Sequence, residues 1–445
     1  MAFAGVLLVA GTVLRPLDRE HFAAADYARR AQVEVAEMRE ELAAAVAAPL
    51  QAGWAVAPLD LRVGEPLAGY GARRGAGSVG VADPLFARAL CLRAGGAEVV
   101  LVGVDALLVH AVVARELARL CAGQGLAERG IYLTATHTHC GPGGWGPNVI
   151  EQAVCGRFDP ESVHRLARTL AGVIAQARGA VRPAEWTWLE MSAPGQVRNR
   201  TVKEGPTDAS LDALVVRRVE DGATGVFAFY GAHATCHGAR QMKFSGDYPG
   251  VLVRSLEKEG LRFAAFGAGA VGSQAPVGRG DDAARADEIG VSLARQIRAG
   301  LAGVRWRPEV ALAVARREVP LPRLQVRVGR YLRLASWVTA GLHGPAAPLQ
   351  LVRMDEHRLA GLPVEISAML SAPLRAEAAR GGIRLCVTPF NGDYVGYVLP
   401  PAIYDMPAYE ATMNFLGPWG GEYFVELVRA GVGLGGADAA ARGGL

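Results

Sequence analysis

From residue 98 onward the chain alternates short apolar runs with longer amphipathic stretches. Residues 98–105 (Glu-Val-Val-Leu-Val-Gly-Val-Asp) form a continuous apolar run closing on an acid, the pattern of a strand buried on both faces. Residues 110–121 carry helical spacing, and 131–135 form a second short strand that ends at a histidine-rich segment. An amphipathic helix is predicted over 161–177. Further strands are predicted over 185–191, 213–220, 225–230, 262–266, 309–321, 358–364 and 383–388. Further helices are predicted over 248–260, 281–301, 366–380 and 422–430. This is an α/β pattern without the strict βαβ regularity of a Rossmann or barrel chain. No internal repeat or long low-complexity linker interrupts it. The last dozen residues are rich in Gly and Ala and read as a frayed tail.

The start of the chain differs. Residues 1–14 are apolar and Arg15 follows. A spanning helix needs about 20 apolar residues, and a signal peptide carries positive charge ahead of its apolar run. Two readings stand: the second half of a truncated membrane anchor, or a buried strand or helix. The anchor is favoured. Residues 18–48 are charged and rich in Ala and Glu, as in a connector helix. The expected organisation is an N-terminal segment, 1–48, and a domain, 49–445, in a protein anchored to a membrane by its N-terminus or exported to the periplasm or medium.

Composition narrows the function. The 445 residues are 51% hydrophobic and 20% charged, which fits a packed core and excludes disorder. The net charge of +4 is spread evenly, so no nucleic-acid partner is expected. The six cysteines form no C-x-x-C pair, which argues against a cysteine zinc site or a thioredoxin-like motif. Cys140 and Cys236 each lie three residues after a candidate metal histidine, His137 and His233, and read as small buried side chains.

Four segments carry candidate chemistry. The first is Thr136-His137-Thr138-His139-Cys140-Gly141-Pro142-Gly143-Gly144. Two histidines two apart face one side of an extended chain, and histidine is the commonest metal ligand. A polar turn with two surface histidines is an equal alternative on pattern alone. The second is Phe229-Tyr230-Gly231-Ala232-His233, which places His233 at a strand end, where α/β sites open. The third is Gly361-Leu362-Pro363-Val364-Glu365, an acid at a strand-to-helix junction that could equally complement a helix dipole. The fourth holds Tyr394, Tyr397, Tyr404 and Tyr409, four tyrosines within sixteen positions, which could equally be a packed aromatic cluster.

Resemblance joins these segments. The phrase THTH-x-GPGG after an apolar strand resembles the signature of the neutral/alkaline non-lysosomal ceramidases. Gly69-Tyr70-Gly71-Ala72-Arg73, Asp83-Pro84-Leu85-Phe86-Ala87-Arg88-Ala89, Asn199-Arg200, the His233 strand, Glu365 and the tyrosine block follow in that family's order. The resemblance runs from about Leu50 to Val432. It implies a catalytic domain of mixed β-sheets sandwiched between helices. It also implies a zinc ion (Zn2+) held by His137, His233, Glu365 and Tyr397. His139, Arg200 and Tyr409 fall on positions that hold substrate and stabilise charge beside the metal.

The implied reaction is hydrolysis of the N-acyl bond of ceramide or a related N-acyl lipid by zinc-bound hydroxide. A zinc site of this kind lowers the pKa of bound water to near 7. Arg200 and Tyr409 are candidates for the developing oxyanion, and His139 for the acid that protonates the leaving amine. Three departures bear on substrate. The chain leaves no room for the C-terminal immunoglobulin-like domain of proven family enzymes. Cys140 and Ala234 stand where the family has Ser and often Pro. Gly272-Ser273 replaces a Gly-Asp phrase, so any supporting role of that acid is lost or moved. The alternatives are a zinc hydrolase of another amide or an ester, and a non-catalytic lipid-binding homologue.

Overall fold

A computed structural model describes residues 12–434. Eight strands build the larger sheet. In chain order they are Gln51–Pro58 (β1), Phe86–Ala94 (β2), Ala97–Val104 (β3), Ile131–Ala135 (β4), Arg182–Ser192 (β5), Ser210–Arg218 (β6), Thr224–Tyr230 (β7) and Phe263–Ala268 (β8). Their spatial order is β8-β7-β6-β5-β1-β2-β3-β4. Only the pairs at the two ends, β3 with β4 and β7 with β8, are parallel. A second sheet has the order of its strands Leu312–Pro320 (β9), Ala346–Met354 (β10), His357–Gly361 (β11) and Arg384–Thr388 (β12).

The period-2 alternation of strand side chains divides the interior into layers. In β3, Val100, Val102 and Val104 point to a core shared with the helices Ala111–Ala122 (α2) and Pro160–Gly179 (α3). Val99 and Leu101 point the other way, toward Val352, Met354 and Leu359 of the second sheet. On the β5–β8 half, the outer face packs on Asp247–Lys258 (α4) and Asp282–Gly300 (α5) through Tyr248, Leu252, Ile289 and Leu293. The second sheet's far face, with Leu349, Leu351 and Val387, is covered by Ala368–Arg380 (α6), Gly420–Val432 (α7) and the N-terminal helix Asp26–Ala43 (α1). The order is helices, sheet, sheet, helices, the mixed sandwich that the resemblance implied.

The N-terminal helix is itself part of this sandwich. Ala31, Val35, Met38 and Leu42 are buried in that third core, and Arg317 of β9 reaches Glu34, Glu37 and Glu41 on its outer side. Residues 1–11 of the expected anchor and 435–445 of the expected tail lie outside the described residues. Among the described residues, no helix is long and apolar enough to cross a membrane.

The larger sheet curls so that its two ends meet, and glycine allows it. A Cβ at Gly103 of β3 would lie 2.8 Å from the Phe266 carbonyl of β8. A Cβ at Gly267 of β8 would lie 2.7 Å from Thr134 Oγ1 of β4. Neither position admits a side chain without displacing the other strand. The loops leaving β4 and β7, far apart in strand order, therefore open at one place.

Candidate metal centre

His137 and His139 leave β4 by a kink. Thr136 still donates its N–H to Val104 at 2.9 Å. His137 then turns into the left-handed region with φ of 61°. The extended H-x-H geometry expected from the sequence is therefore not what brings the two rings together. A β-like segment would continue the sheet, whereas the left-handed residue folds His137 inward. Such a conformation costs a non-glycine residue about 1 kcal/mol or more and persists only where packing enforces it. Here Phe390 stacks on the ring at 4.5 Å, and His137 Nδ1 lies 2.8 Å from the Leu107 carbonyl. The polar-turn alternative falls, because His137 is buried.

His233 is held in the same way from the other end of the sheet. Its Nδ1 lies 2.8 Å from the Val271 carbonyl and 3.0 Å from that of Gln274. In both rings the carbonyl contact assigns the proton to Nδ1 and leaves the Nε2 lone pair free. Glu365 opens the two-residue strand Glu365–Ile366, which pairs in parallel with Tyr397–Val398, so Glu365 and Tyr397 stand side by side.

These elements bring four donor atoms together. His233 Nε2 lies 2.9 Å and His137 Nε2 3.5 Å from Glu365 Oε1. The Tyr397 hydroxyl lies 3.5 Å from His233 Nε2. Ligands of a tetrahedral zinc at 2.0–2.1 Å stand about 3.3 Å apart, and the three spacings bracket that value. His137 Nε2 and Glu365 Oε1 are buried with no hydrogen-bond partner. Orphaned polar atoms of this kind are expensive, and a cation among them would satisfy both. His139 joins from the side. The donor atoms of His137, His139 and His233 lie within 4.8 Å of one another.

The electrostatics hold His139, His233 and Glu365, though not Tyr397, in metal-ready forms. Burial pushes His233 down to about 3. Burial, then the neighbouring imidazoles of His137 and His233, puts His139 well below the ordinary histidine range. Burial raises the Glu365 carboxyl, but the adjacent His137 and His233 rings bring it well below its usual value. Burial, then the Glu365 charge, holds the Tyr397 phenol well above its ordinary value. Neutral imidazoles and a carboxylate are what a divalent cation binds.

The remaining residues expected at the site surround this group. Arg200 donates from Nη2 to the Tyr397 hydroxyl at 3.1 Å and from Nε to Glu410 at 2.6 Å. The Tyr409 ring meets that of Tyr397 edge-on at 5.7 Å and is 58% exposed on the pocket wall. His139 packs on Tyr70 at 4.8 Å, and neither of its ring nitrogens has a partner. Of the other tyrosines, Tyr394 donates to Glu365 Oε2 at 3.3 Å. Tyr404 lies apart, its ring under Arg327.

Sequence reasoning missed the support behind the histidines. Gln274 is fully buried. Its Oε1 accepts from Asp208 N–H at 2.8 Å, and its Nε2 donates to the carbonyls of Gly231, Ala270 and Asp208 at 2.7, 3.1 and 3.1 Å. Ser273, in place of the expected acid, accepts Arg200 N–H on its carbonyl and Ala368 N–H on its hydroxyl. What meets Nδ1 of His137 and His233 is main-chain carbonyls. All six cysteines are buried free thiols, matching the small-side-chain reading.

A pocket opens onto the histidines. Its walls are mainly apolar, with Leu108, Trp145, Val154, Val326, Met413 and Phe415 among them. Two polar pairs interrupt them: His110 with Glu151 at 3.0 Å and His343 with Asp393 at 2.9 Å.

Residues 62–282 match the family described as neutral/alkaline non-lysosomal ceramidase, N-terminal. The matched stretch is just under half of the chain and includes His137, His139, Arg200 and His233. A neutral ceramidase of Mycobacterium tuberculosis is 27% identical over 162 residues, which cover 34% of this chain and 25% of that protein. The matched stretch is thus about a quarter of that relative's length. The crystal structure of neutral ceramidase from Pseudomonas aeruginosa superposes with a TM-score of 0.73 at 21% identity, covering 86% of this chain and 74% of that one. A structure described as ceramidase complexed with C2 gives 0.74 at 20% identity, with 86% and 75% covered. At these identities the structural likeness speaks for the fold. The histidine cluster of this chain therefore sits in a fold like that of these solved structures.

Proposed function

We propose that the protein is a zinc-dependent hydrolase that cleaves the N-acyl bond of ceramide or a related N-acyl lipid. The observation that carries this reading is the set of four donors, His137 and His233 Nε2, Glu365 Oε1 and the Tyr397 hydroxyl, at tetrahedral spacing on the floor of an apolar pocket. These four residues would hold the ion. Zinc bound there supplies a Lewis acid and a water activated at neutral pH.

The chain's own groups do the rest. The apolar walls take hydrocarbon and exclude water, which strengthens the polar contacts at the floor. Arg200, fixed by Glu410, and Tyr409, at the pocket wall, donate hydrogen bonds to the carbonyl oxygen as charge develops on it. His139, with both ring nitrogens unpartnered, accepts a proton during attack and returns it to the leaving nitrogen. The hydrolase unit takes in the helix Asp26–Ala43 together with residues 49–445. The apolar run at 1–14 attaches it to a membrane outside the cytoplasm, a reading that rests on that run alone.

The test is turnover by the zinc-loaded full chain on three fluorescent panels: N-acyl sphingoids, N-acyl amino acids and simple esters. Fatty-acid release from the N-acyl sphingoid is expected to dominate. Hydrolysis confined to esters or small N-acyl metabolites would overturn the lipid-amide assignment.

A further inference from the structure

One side of the pocket mouth is built by a segment unlike the rest of the surface. Leu324, Val326, Leu342 and His343 line the pocket, so the stretch between them runs along its rim. Of the fourteen large hydrophobic side chains exposed among the described residues, five fall in this stretch: Val328, Tyr331, Leu332, Trp337 and Val338. Trp337 is 65% and Tyr331 70% exposed. Scattered apolar residues need no explanation, but a cluster at a pocket mouth marks an interaction surface.

The charge of this rim is one-sided. Residues 319–345 include Arg323, Arg327, Arg330 and Arg333 and no Asp or Glu, and of these Arg323 and Arg330 are exposed. Arg19, Arg327 and Arg330 converge on one carboxylate, Asp405, at 2.8, 3.7 and 3.9 Å, which leaves a local excess of positive charge. The N-terminal stretch arrives at the same place. Leu14–Pro16 pairs with Leu332–Leu334, and the Trp337 indole donates to the Thr12 carbonyl. The chain before Thr12 therefore leaves at this rim, and residues 1–11 contain no charged side chain.

We propose that the 327–341 rim is a docking surface for an anionic lipid bilayer, placing the pocket mouth against the membrane that holds the substrate. Exposed Trp and Tyr flanked by arginine and short apolar side chains fit a headgroup interface, where aromatic rings sit at the boundary and arginines meet lipid phosphates. The choice of a bilayer over a second copy of the chain rests on this charge excess, which a copy bearing the same arginines would repel, and on the lipid-amide reading of the pocket.

The experiment is co-sedimentation of the full chain with vesicles, without substrate. Vesicles of phosphatidylcholine containing phosphatidylglycerol are compared with pure phosphatidylcholine. The wild type is expected to bind the anionic vesicles about tenfold more tightly, and high salt should reduce that preference. The double variant Tyr331→Ser/Trp337→Ser should lower binding by a further tenfold or so. Its cleavage of a soluble short-chain N-acyl substrate should be unchanged, which separates failure of docking from failure of the hydrolase reading. Should the double variant fold poorly, Arg330→Glu, at an exposed arginine, carries the same expectation. Equal binding to both vesicles would overturn the proposal. So would variants that bind like the wild type, or binding that disappears only when residues 1–11 are removed. Self-association of the wild type abolished by the same substitutions would instead make the rim an interface between copies.

Discussion

Gln274→Leu isolates the support behind His233. The side chain is fully buried, and leucine nearly conserves its volume, so the change is mainly polar. It removes the acceptor for Asp208 N–H and the donor shared by the carbonyls of Gly231, Ala270 and Asp208. With one orphaned N–H at about 1–3 kcal/mol and three weakened carbonyl contacts at about 1 kcal/mol each, a rigid loop would lose roughly 4–6 kcal/mol. The loop will move to recover part of this. The group that moves is the one whose carbonyl fixes His233 Nδ1 at 3.0 Å. Disturbing the partner of a ligand histidine typically costs 10–100-fold in metal affinity, or about 1.4–2.8 kcal/mol. The assay is zinc affinity by chelator competition at neutral pH, alongside thermal unfolding of the zinc-free protein. A variant that melts lower but binds zinc within about twofold of wild type would show that Gln274 only packs the loop.

Further outcomes follow from the same geometry. Tyr409→Phe should lower turnover about a hundredfold, near 3 kcal/mol, with zinc retained; unchanged turnover would remove Tyr409 from the oxyanion contacts. Arg200→Ala should also lower turnover with zinc retained but should melt lower, because Glu410, whose side chain is 7% exposed, loses its partner. Tyr397→Phe should weaken zinc binding; full zinc content and activity would pass the role to Tyr394, already 3.3 Å from Glu365. Gly69→Ala should lower turnover at least tenfold with zinc retained, because its Cβ would stand 2.7 Å from the His139 ring at a φ of +113°; normal turnover would mean that the His139 position is not critical. His357 is pushed down by burial from 6.5 to about 4, so the unfolded chain takes the proton first. Its contribution to stability is complete above pH 6.5 and is lost as pH falls toward 4, to a limit of roughly 3 kcal/mol. His357→Phe should flatten unfolding free energy over that window, and an unchanged slope would refute the assignment.

The site was legible in sequence to the extent that its residues sit at the ends of strongly apolar strands. Ile131–Ala135 was read with its true bounds, and β7 to within a residue, so His137 and His233 were placed at strand ends from pattern alone. What joins them was not legible. β1, β2 and β10 escaped, although β1 and β2 sit at the middle of the larger sheet. Their sequences, such as Phe-Ala-Arg-Ala-Leu-Cys-Leu-Arg-Ala, are rich in Ala and Arg, which disfavour strands in isolation. Arg88 is tolerated inside because Glu257 and the Ala264 carbonyl receive its guanidinium, a compensation that exists only in the folded chain. The left-handed turn at His137 also gave no signal, since any non-glycine residue adopts positive φ in only a few per cent of cases. Support by main-chain carbonyls, such as those of Val271 and Gln274 at His233 Nδ1, is invisible to residue type altogether, so the missing acid at position 273 could be read only as a role lost or moved.

The central claim is that His137, His233, Glu365 and Tyr397 form one zinc site that serves amide hydrolysis. The most direct measurement pairs zinc stoichiometry with N-acyl sphingoid cleavage, on the purified wild type and on Glu365→Ala, after zinc loading and dialysis. The account predicts one zinc per chain and fatty-acid release for the wild type, with both lost together in the variant. A wild type holding less than about half an equivalent of zinc, or a variant that keeps full zinc and full cleavage, would contradict it.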